Sequence, residues 1–358
     1  MGATLIAWLL VQAFPSNPGG EVGRAYGPVR ESGGRLSRFE FDETHMASPF
    51  HLVLYSTDDA TARRASRAAF DRIEALNAVL SDYDPESELS RLSRSAGGPP
   101  VKVSADLFDV LARSKRMYER SGGMFDITIA PVGRLWRRAR RERKLPDPAR
   151  IAEARQLVGS DKMVLDPAAR TVRLLKPGMK LDAGGIAKGY AAQAGLDVLR
   201  SKGITRALVA GAGDIVGGDP PPDAEGWRIA IAPLAPNIGD HPPTLLLRNA
   251  AVSTAGDAEQ FVIIDGHRYS HIINPATGLG HEDRASVTVV APDGATADAL
   301  ETTAYLLGPD RGLKLVDNTP GAAAIFRRLT PDGIKTFESS RFKDVPKVGD
   351  SDATKPPG

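Results

Sequence analysis

Two residues in the segment ATADALETTAYLLG (295–308) have the types and the spacing of a site for a hard cation. Asp298 and Thr302 are four positions apart, so that on a helix they lie on the same face. A carboxylate and a hydroxyl are oxygen ligands, which suit Mg²⁺ better than a softer metal. The same residues also fit an ordinary helix start, where the helix dipole favours Asp298 in the first turn. By spacing alone, the ordinary helix start is the preferred interpretation.

The segment LDAGGIAKGY (181–190) predicts a glycine-rich turn between a strand and a helix. It lacks the glycine spacing of a P-loop and of a dinucleotide-binding fold. Its glycines nonetheless let a ligand approach the backbone closely, and the helix that follows directs free N–H groups at that point. Asp182 lies just before the turn and Lys188 lies one turn into the helix. An anion, a metal and an acidic side chain could therefore meet there, although a simple tight turn stays the alternative.

Three other segments contain side chains that could serve a reaction, and each also has a purely structural interpretation. His271 lies near the end of a predicted strand and could act as a general base, or could be a strand histidine bonded to the backbone. Asp126 lies between apolar residues, and a carboxylate there needs partners, either from a ligand or from backbone N–H groups. Tyr83 could stack on a flat ring or pack on its own loop.

The composition is that of a soluble globular protein, with 358 residues of which 42% are hydrophobic and 25% charged. The net charge of +2 argues against a nucleic-acid partner, so the basic run WRRARRERK (136–144) is interpreted as a solvated helix face. The chain has no cysteine, which excludes disulfides, thiolate metal sites and a cysteine nucleophile.

The order of the predicted elements is mixed, which favours an α+β domain around a mainly antiparallel sheet. Two strands separated near Met46 come first, and a closing strand pair comes last. Helical patterns are predicted at 58–80, 104–121, 134–156, 186–201 and 296–307, with another helix from about residue 310.

The N-terminal residues 1–36 are interpreted as a candidate signal segment followed by a flexible linker. The apolar run at 4–14 has the length of a signal-peptide core and is too short to span a bilayer, although no basic residue precedes it. The folded domain is predicted over 37–344 and a disordered polar tail over 345–358. We therefore expect export to the periplasm or to the outer face of the inner membrane. No lipid anchor is expected without a cysteine, and a cytoplasmic location stays open.

Eight segments follow one another along the chain: HMASPFHLVLY, LSDYDPESELSRL, GGMFDITIAPVGRLW, LDAGGIAKGY, GAGDIVGG, STAGDAEQF, YSHIINPATG and ADALETTAYLLG. Taken in this order, they resemble the FAD:protein FMN transferases, the ApbE-type flavin transferases. The resemblance covers about residues 38 to 340. It implies a T-fold-like α+β domain and Mg²⁺-dependent transfer of FMN from FAD to a Thr or Ser hydroxyl of an acceptor protein, with release of AMP. The acceptor would be a protein such as a subunit of a membrane redox complex.

The resemblance also implies a role for individual residues. The metal would bind the side chains of Asp298 and Thr302 and the backbone carbonyl of Gly185. His271 would help to activate the acceptor hydroxyl. The flavin site would comprise Met46, Tyr83, Met124, Phe125, Asp126, Asp182, Lys188 and Ile273.

The chain departs from the family pattern at two positions near His271. Ser270 stands where many members have a histidine, and Asn274 stands where many have an aspartate. Two other functions fit the same segments. The protein could be an FAD pyrophosphatase that uses water as the acceptor, or a flavin-binding protein without catalytic activity.

Overall fold

The computed structural model of the protein describes residues 24–31, 34–235, 239–256 and 261–349, with side chains from residue 36 onward. The candidate signal segment at 4–14 lies outside the described residues. The strands are β1 (Arg24–Glu31), β2 (Gly34–His45), β3 (Ser48–Ser56), β4 (Val101–Lys102), β5 (Met163–Asp166), β6 (Thr171–Leu174), β7 (Ala207–Gly211), β8 (Asp214–Gly217), β9 (Trp227–Ala230), β10 (Thr244–Leu247), β11 (Ala250–Gly256), β12 (Phe261–Ile264), β13 (His267–Ser270), β14 (Ile273–Asn274), β15 (Leu279–Gly280), β16 (Ala285–Ala291), β17 (Ala323–Thr330) and β18 (Gly333–Glu338).

The helices share capping features that the sequence makes visible. Asp58 caps the first helix by accepting the Thr61 N–H at 2.8 Å, and Gly122 ends the third in a left-handed conformation. The α-helices are α1 (Asp59–Leu80), α2 (Glu88–Arg94), α3 (Ala105–Ser121), α4 (Ala130–Glu142), α5 (Pro148–Arg155), α6 (Ala187–Ser201) and α7 (Gly294–Asp317). None of the described helices is long and apolar enough to cross a membrane.

A nine-stranded sheet in the order β1-β2-β3-β7-β8-β11-β16-β17-β18 organises the fold. Every neighbouring pair is antiparallel. This confirms the predicted α+β class with a mainly antiparallel sheet. Smaller sheets pair β9 with β10, β12 with β13, β14 with β15, and β6 with both β4 and β5.

Both faces of the central sheet are buried. Helices α1, α6 and α7 pack on one face, where Leu52 and Leu54 of β3 join the main core. Val53, between them, points to the opposite face and packs with Trp227 and Phe342. Successive side chains of a strand point to opposite faces, so a strand buried on both sides is apolar throughout.

Two predicted breaks in the chain are confirmed, and one predicted helix is wrong in part. Met46 separates β2 from β3 with a φ of 50°, and Gly308, with a φ of 75°, breaks α7 before Pro309. The single helix predicted over 134–156 is two helices, because the chain turns at Arg143 and the next helix begins at Pro148.

Backbone hydrogen-bonded pairing extends beyond both ends of the predicted folded domain. Strand β1 pairs with β2, although it lies in the range predicted as a linker. After residue 344, the Pro346 carbonyl accepts the Leu246 N–H at 2.9 Å, and the Val348 N–H donates to Thr244 at 2.9 Å. The division at residues 37 and 344 stays a prediction.

Candidate functional site

The site is built where the first turns of α6 and α7 cross. Gly189 of α6 and Gly294 of α7 lie with their backbones in direct contact. A Cβ atom added to Gly189 would lie 2.2 Å from the Gly294 carbonyl oxygen, and one added to Gly294 would lie 2.1 Å from the Gly189 oxygen. Only glycine permits this approach, which brings LDAGGIAKGY against ADALETTAYLLG.

Asp298 connects the two helices. Its side chain is buried, and its Oδ2 accepts the Gly189 N–H at 3.0 Å, while the Lys188 N–H donates to the same carboxylate. Burial raises the pKa of Asp298 well above its usual range, and the nearby charge of Asp214 adds to this. Asp298 therefore closes the N-terminus of α6, for which Ile186 provides no side-chain cap.

The free N–H groups expected at the start of α6 all have partners, so that expectation is wrong. The N–H groups of Ile186 and Ala187 both donate to the Ala183 carbonyl, and those of Lys188 and Gly189 donate to Asp298. The tight turn and the buried carboxylate use the donors that a phosphate would otherwise bind. The positive charge of Lys188 remains at this point.

Gly185 and Thr302 come together beside Phe125. A Cβ atom on Gly185 would lie 3.4 Å from the Thr302 Oγ1 and 3.3 Å from the Phe125 ring. Thr302 lies one turn after Asp298 on the same face of α7, so the fold gathers the three predicted metal ligands from segments more than a hundred residues apart. Their role in binding a metal stays a prediction.

The described residues contain no group of three or more His, Cys, Asp or Glu side chains arranged to hold a metal ion. The predicted ligand set is of another kind, because it joins one carboxylate with a hydroxyl and a backbone carbonyl. Such oxygen ligands are those that Mg²⁺ accepts, usually together with water and substrate phosphates.

Two buried carboxylates that the sequence interpretation missed lie near Lys188 and Asp298. Asp214, at the start of β8, accepts the Ser253 hydroxyl at 2.5 Å, and burial raises its pKa to about 6 against the opposing charge of Lys188. Glu301 is also buried, and its Oε1 accepts the Thr302 hydroxyl at 3.0 Å. Burial raises the pKa of Glu301 well above its usual range. Glu301 follows Asp298 by three residues, and residues at this spacing are neighbours on a helix. This spacing was the feature of the sequence from which Glu301 could have been identified.

Asp182 and Ile273 both lie close to Gly133 in α4. A Cβ atom on Gly133 would be 3.8 Å from the Asp182 Oδ2 and 3.9 Å from the Ile273 Cδ1. The Asp182 Oδ1 accepts the Gly184 N–H at 2.9 Å. Burial, and then the charge of Asp82, raises the pKa of Asp182, while Arg137 and Lys188 oppose this. Three predicted flavin residues, Asp182, Lys188 and Ile273, are thus in one region.

Tyr83 presents an exposed aromatic ring near the same region. The Tyr83 side chain is 76% exposed, and the Arg137 guanidinium lies 4.8 Å from its ring centroid. Arg137 also pairs with Asp82 at 2.7 Å. The ring is therefore available for stacking rather than buried in its own loop.

Asp126 is satisfied within the protein. Its Oδ1 accepts the Thr128 N–H at 2.9 Å, the Thr128 hydroxyl at 2.7 Å and the Ser160 hydroxyl at 2.7 Å. Burial raises its pKa, and these hydrogen bonds oppose the shift. The contacts fit the structural interpretation of Asp126, and its role in flavin binding stays a prediction.

The remaining predicted residues lie at several places around the region, and their roles stay predictions. Phe125 is buried beside Gly185, Met124 is half-buried, and Met46 packs against the main core from the turn between β2 and β3. His271 is exposed immediately after β13. The Asn274 Oδ1 accepts the Ala276 N–H at 2.9 Å, which forms the predicted turn after His271.

Two clefts have linings that differ from the predicted site. One, of about 440 Å³, is lined by residues of α1, α3, α6 and the start of α7, including Arg72, Arg113 and Tyr190. The other, of about 530 Å³, lies around Pro220 and Pro221. Neither contains a predicted site residue, so the chemistry of the side chains, rather than cleft size, identifies the site.

Comparison with known proteins places this geometry in a family. The model of the ApbE family matches residues 46–326. An FAD:protein FMN transferase of Haemophilus influenzae is 32% identical over 311 residues, covering 84% of this chain and 89% of that protein. An FAD:protein FMN transferase of Treponema pallidum is 32% identical over 323 residues, covering 85% and 88%.

Solved structures agree with the sequence relatives. The flavin transferase ApbE from Vibrio cholerae superposes with a TM-score of 0.78 at 27% identity, covering 87% of this chain and 99% of that one. The apo form of the Pseudomonas stutzeri flavinyl transferase ApbE gives a TM-score of 0.77 at 27% identity, covering 88% and 98%. The fold is therefore shared over most of the chain.

Proposed function

Because the chain belongs to the ApbE family, we propose that it is an FAD:protein FMN transferase that attaches FMN to a Thr or Ser hydroxyl of an acceptor protein and releases AMP, with Mg²⁺ as cofactor. The observation that carries the proposal is the convergence of Gly185, Asp298 and Thr302 at the crossing of α6 and α7. Relatives named for this activity match over most of their length.

The residues present fit a divalent cation. Asp298, Glu301 and Asp214 are buried carboxylates that influence one another, and a Glu301 oxygen has no hydrogen-bond partner. Such a group is costly unless positive charge compensates it. Asp298, Thr302 and the Gly185 carbonyl would hold Mg²⁺, which when bound would neutralise charge on the pyrophosphate.

The proposed reaction is a phosphoryl transfer in which the acceptor hydroxyl oxygen forms a bond to the FMN phosphorus of FAD. The bond from that phosphorus to the bridging oxygen breaks, and AMP leaves with this oxygen. His271 takes the hydroxyl proton, and its exposed position after β13 is accessible to a protein acceptor. Lys188 would attract the pyrophosphate as a charge, since the N–H groups around it are already bonded.

The flavin would lie among the residues that surround α4 and α6. The exposed ring of Tyr83 offers a stacking surface, and Asp182 and Ile273 both lie close to Gly133. Met46, Met124, Phe125 and Asp126 complete the proposed flavin site. We also propose that the acceptor is a subunit of a membrane redox complex and that the protein acts after export.

The test is an incubation with FAD, Mg²⁺ and an acceptor domain of a flavinylated redox subunit, analysed by mass spectrometry of the intact acceptor. The expected product carries one FMN, and AMP appears in equal amount. Asp298→Ala should abolish the product, whereas Asp197→Asn, which removes a carboxylate at the far end of α6, should retain it.

Two outcomes would contradict transfer. Release of AMP with no flavin on the acceptor, at the same rate without acceptor, would indicate an FAD pyrophosphatase. Bound FAD that survives incubation with Mg²⁺ unchanged would indicate a flavin-binding protein. Thermal unfolding of Asp298→Ala must be measured in parallel, because Asp298 also closes the N-terminus of α6.

A further inference from the structure

Glu301 is a buried carboxylate outside the metal, flavin and base residues of the proposed site. Its side chain is 7% exposed, and its Oε1 accepts the Thr302 hydroxyl at 3.0 Å. Its Oε2 is buried and has no hydrogen-bond partner. An unpaired carboxylate oxygen away from water is costly, so the position requires a compensating cationic or donor group.

The contact with Thr302 constrains how that hydroxyl can bind a cation. A threonine hydroxyl has one hydrogen and two lone pairs. Because the hydrogen points to Glu301, the lone pairs are left for an approaching cation on the side where Gly185 lies. A hydrogen bond from a ligand to a neighbouring carboxylate orients the ligand and makes its oxygen a better donor to the metal.

The charged groups around Glu301 also favour a nearby cation. Asp214 and Asp298 both interact with the Glu301 carboxylate, and Lys188 brings the opposing positive charge. A divalent cation bound beside Thr302 would lie close to these carboxylates and would favour their charged forms.

We infer that Glu301 is a positioning residue of the cation site, which orients the Thr302 hydroxyl and supplies negative charge that raises the affinity for a divalent cation. The inference rests on the proposed function, because Thr302 and Asp298 are taken there as the metal ligands. Glu301 itself acts through Thr302 and through its charge, without contacting FAD.

The experiment measures the melting temperature of the full chain as a function of Mg²⁺ concentration, in the absence of FAD and after removal of metals with EDTA. Binding to the folded state raises the melting temperature, and the midpoint of the rise reports the affinity. In Glu301→Gln, the midpoint should move to a Mg²⁺ concentration about tenfold higher or more. The metal-free melting temperature of this variant should be unchanged or raised, because the unpaired charge is gone.

A merely structural role for Glu301 predicts the opposite pattern, with a lower metal-free melting temperature and an unchanged midpoint. Asp197→Asn is the matched control, since it removes one carboxylate from α6 about 13 Å along the helix from Lys188. The Mg²⁺ concentration at the midpoint for Asp197→Asn should stay within about twofold of the value for the unmodified protein.

A midpoint shift below about threefold in Glu301→Gln overturns the inference. So does the absence of any Mg²⁺-dependent stabilisation in the unmodified protein. If Glu301→Gln does not fold, Glu301→Ala removes the same charge and, in addition, the acceptor for the Thr302 hydroxyl, and it is judged by the same thresholds. The proposed function is decided separately, by whether FMN appears covalently on the acceptor, so the two can fail independently.

Discussion

The contact between Gly189 and Gly294 predicts a large effect for the smallest substitution available, Gly189→Ala. The new Cβ would lie 2.2 Å from the Gly294 oxygen, 2.7 Å from its carbonyl carbon and 2.8 Å from the Asp298 Cβ. None of these atoms is the end of a flexible side chain. Ordinary contact would therefore require α6 and α7 to separate by about 1 Å.

The separation would also break the hydrogen bond from the Gly189 N–H to Asp298, now 3.0 Å long. Overpacking typically costs about 1–3 kcal/mol, and a hydrogen bond to a charged group contributes about 1.5–3 kcal/mol. Gly189→Ala should therefore lower the free energy of unfolding by about 3–5 kcal/mol, after allowing for the better helix propensity of alanine. A 1 Å misplacement should reduce the rate of flavin transfer about 100-fold.

Gly195→Ala is the control on the same helix. Its Cβ would meet the Ile73 Cδ1 at 3.1 Å, and this is a side-chain end that can move. The expected change in the free energy of unfolding is below about 1 kcal/mol. Urea unfolding monitored by circular dichroism gives both values. If Gly189→Ala is as stable as Gly195→Ala and transfers flavin normally, the close crossing of α6 and α7 is not what aligns the site.

Other predictions address separate parts of the molecule. Tyr83→Ala should weaken FAD binding by about 0.5–1.5 kcal/mol in a fluorescence titration. The stability of the protein should be unchanged, because the ring is 76% exposed. An unaltered affinity for FAD would place the flavin elsewhere. Asp126→Ala should destabilise the fold by about 1–3 kcal/mol in urea unfolding, because the Thr128 N–H and hydroxyl lose their partner. Pairing with Arg72 lowers the pKa of Asp106, so its stabilisation is present above pH about 4 and lost as pH falls. The stability gap between the unmodified protein and Asp106→Asn should thus shrink from pH 7 to pH 3, and a constant gap would contradict this.

Several features of the fold were predictable because they depend on neighbouring residues. The turn at Met46, the cap at Asp58 and the break at Gly308 follow from local backbone and capping chemistry. The helix predicted over 134–156 was wrong in part because the charged pattern concealed the turn after Arg143. The placement of Asp298 and Thr302 on one face was likewise a local property of helix geometry.

The partners of the buried carboxylates were not predictable in this way. Ser160 lies 34 positions from the Asp126 that it bonds, and Asp298 lies 109 positions from Gly189. Nothing in LDAGGIAKGY indicated that Asp298 would occupy the N–H groups at the start of α6. Binding of an anion at this turn stays a prediction. Glu301 and Asp214 were missed because only the tertiary structure shows that these carboxylates lie close to each other and to Asp298.

The sequence by itself determined the class of fold, the family and the residue types available to a metal and a flavin. The fold class and the family depend on periodicity, turn residues and the order of segments, and all of these can be read directly from the amino-acid sequence. The tertiary structure alone decided which carboxylates share one buried space around Lys188, and how closely α6 approaches α7. Those distances result from packing two helices on a sheet, where a single Cβ atom changes the separation by about 1 Å.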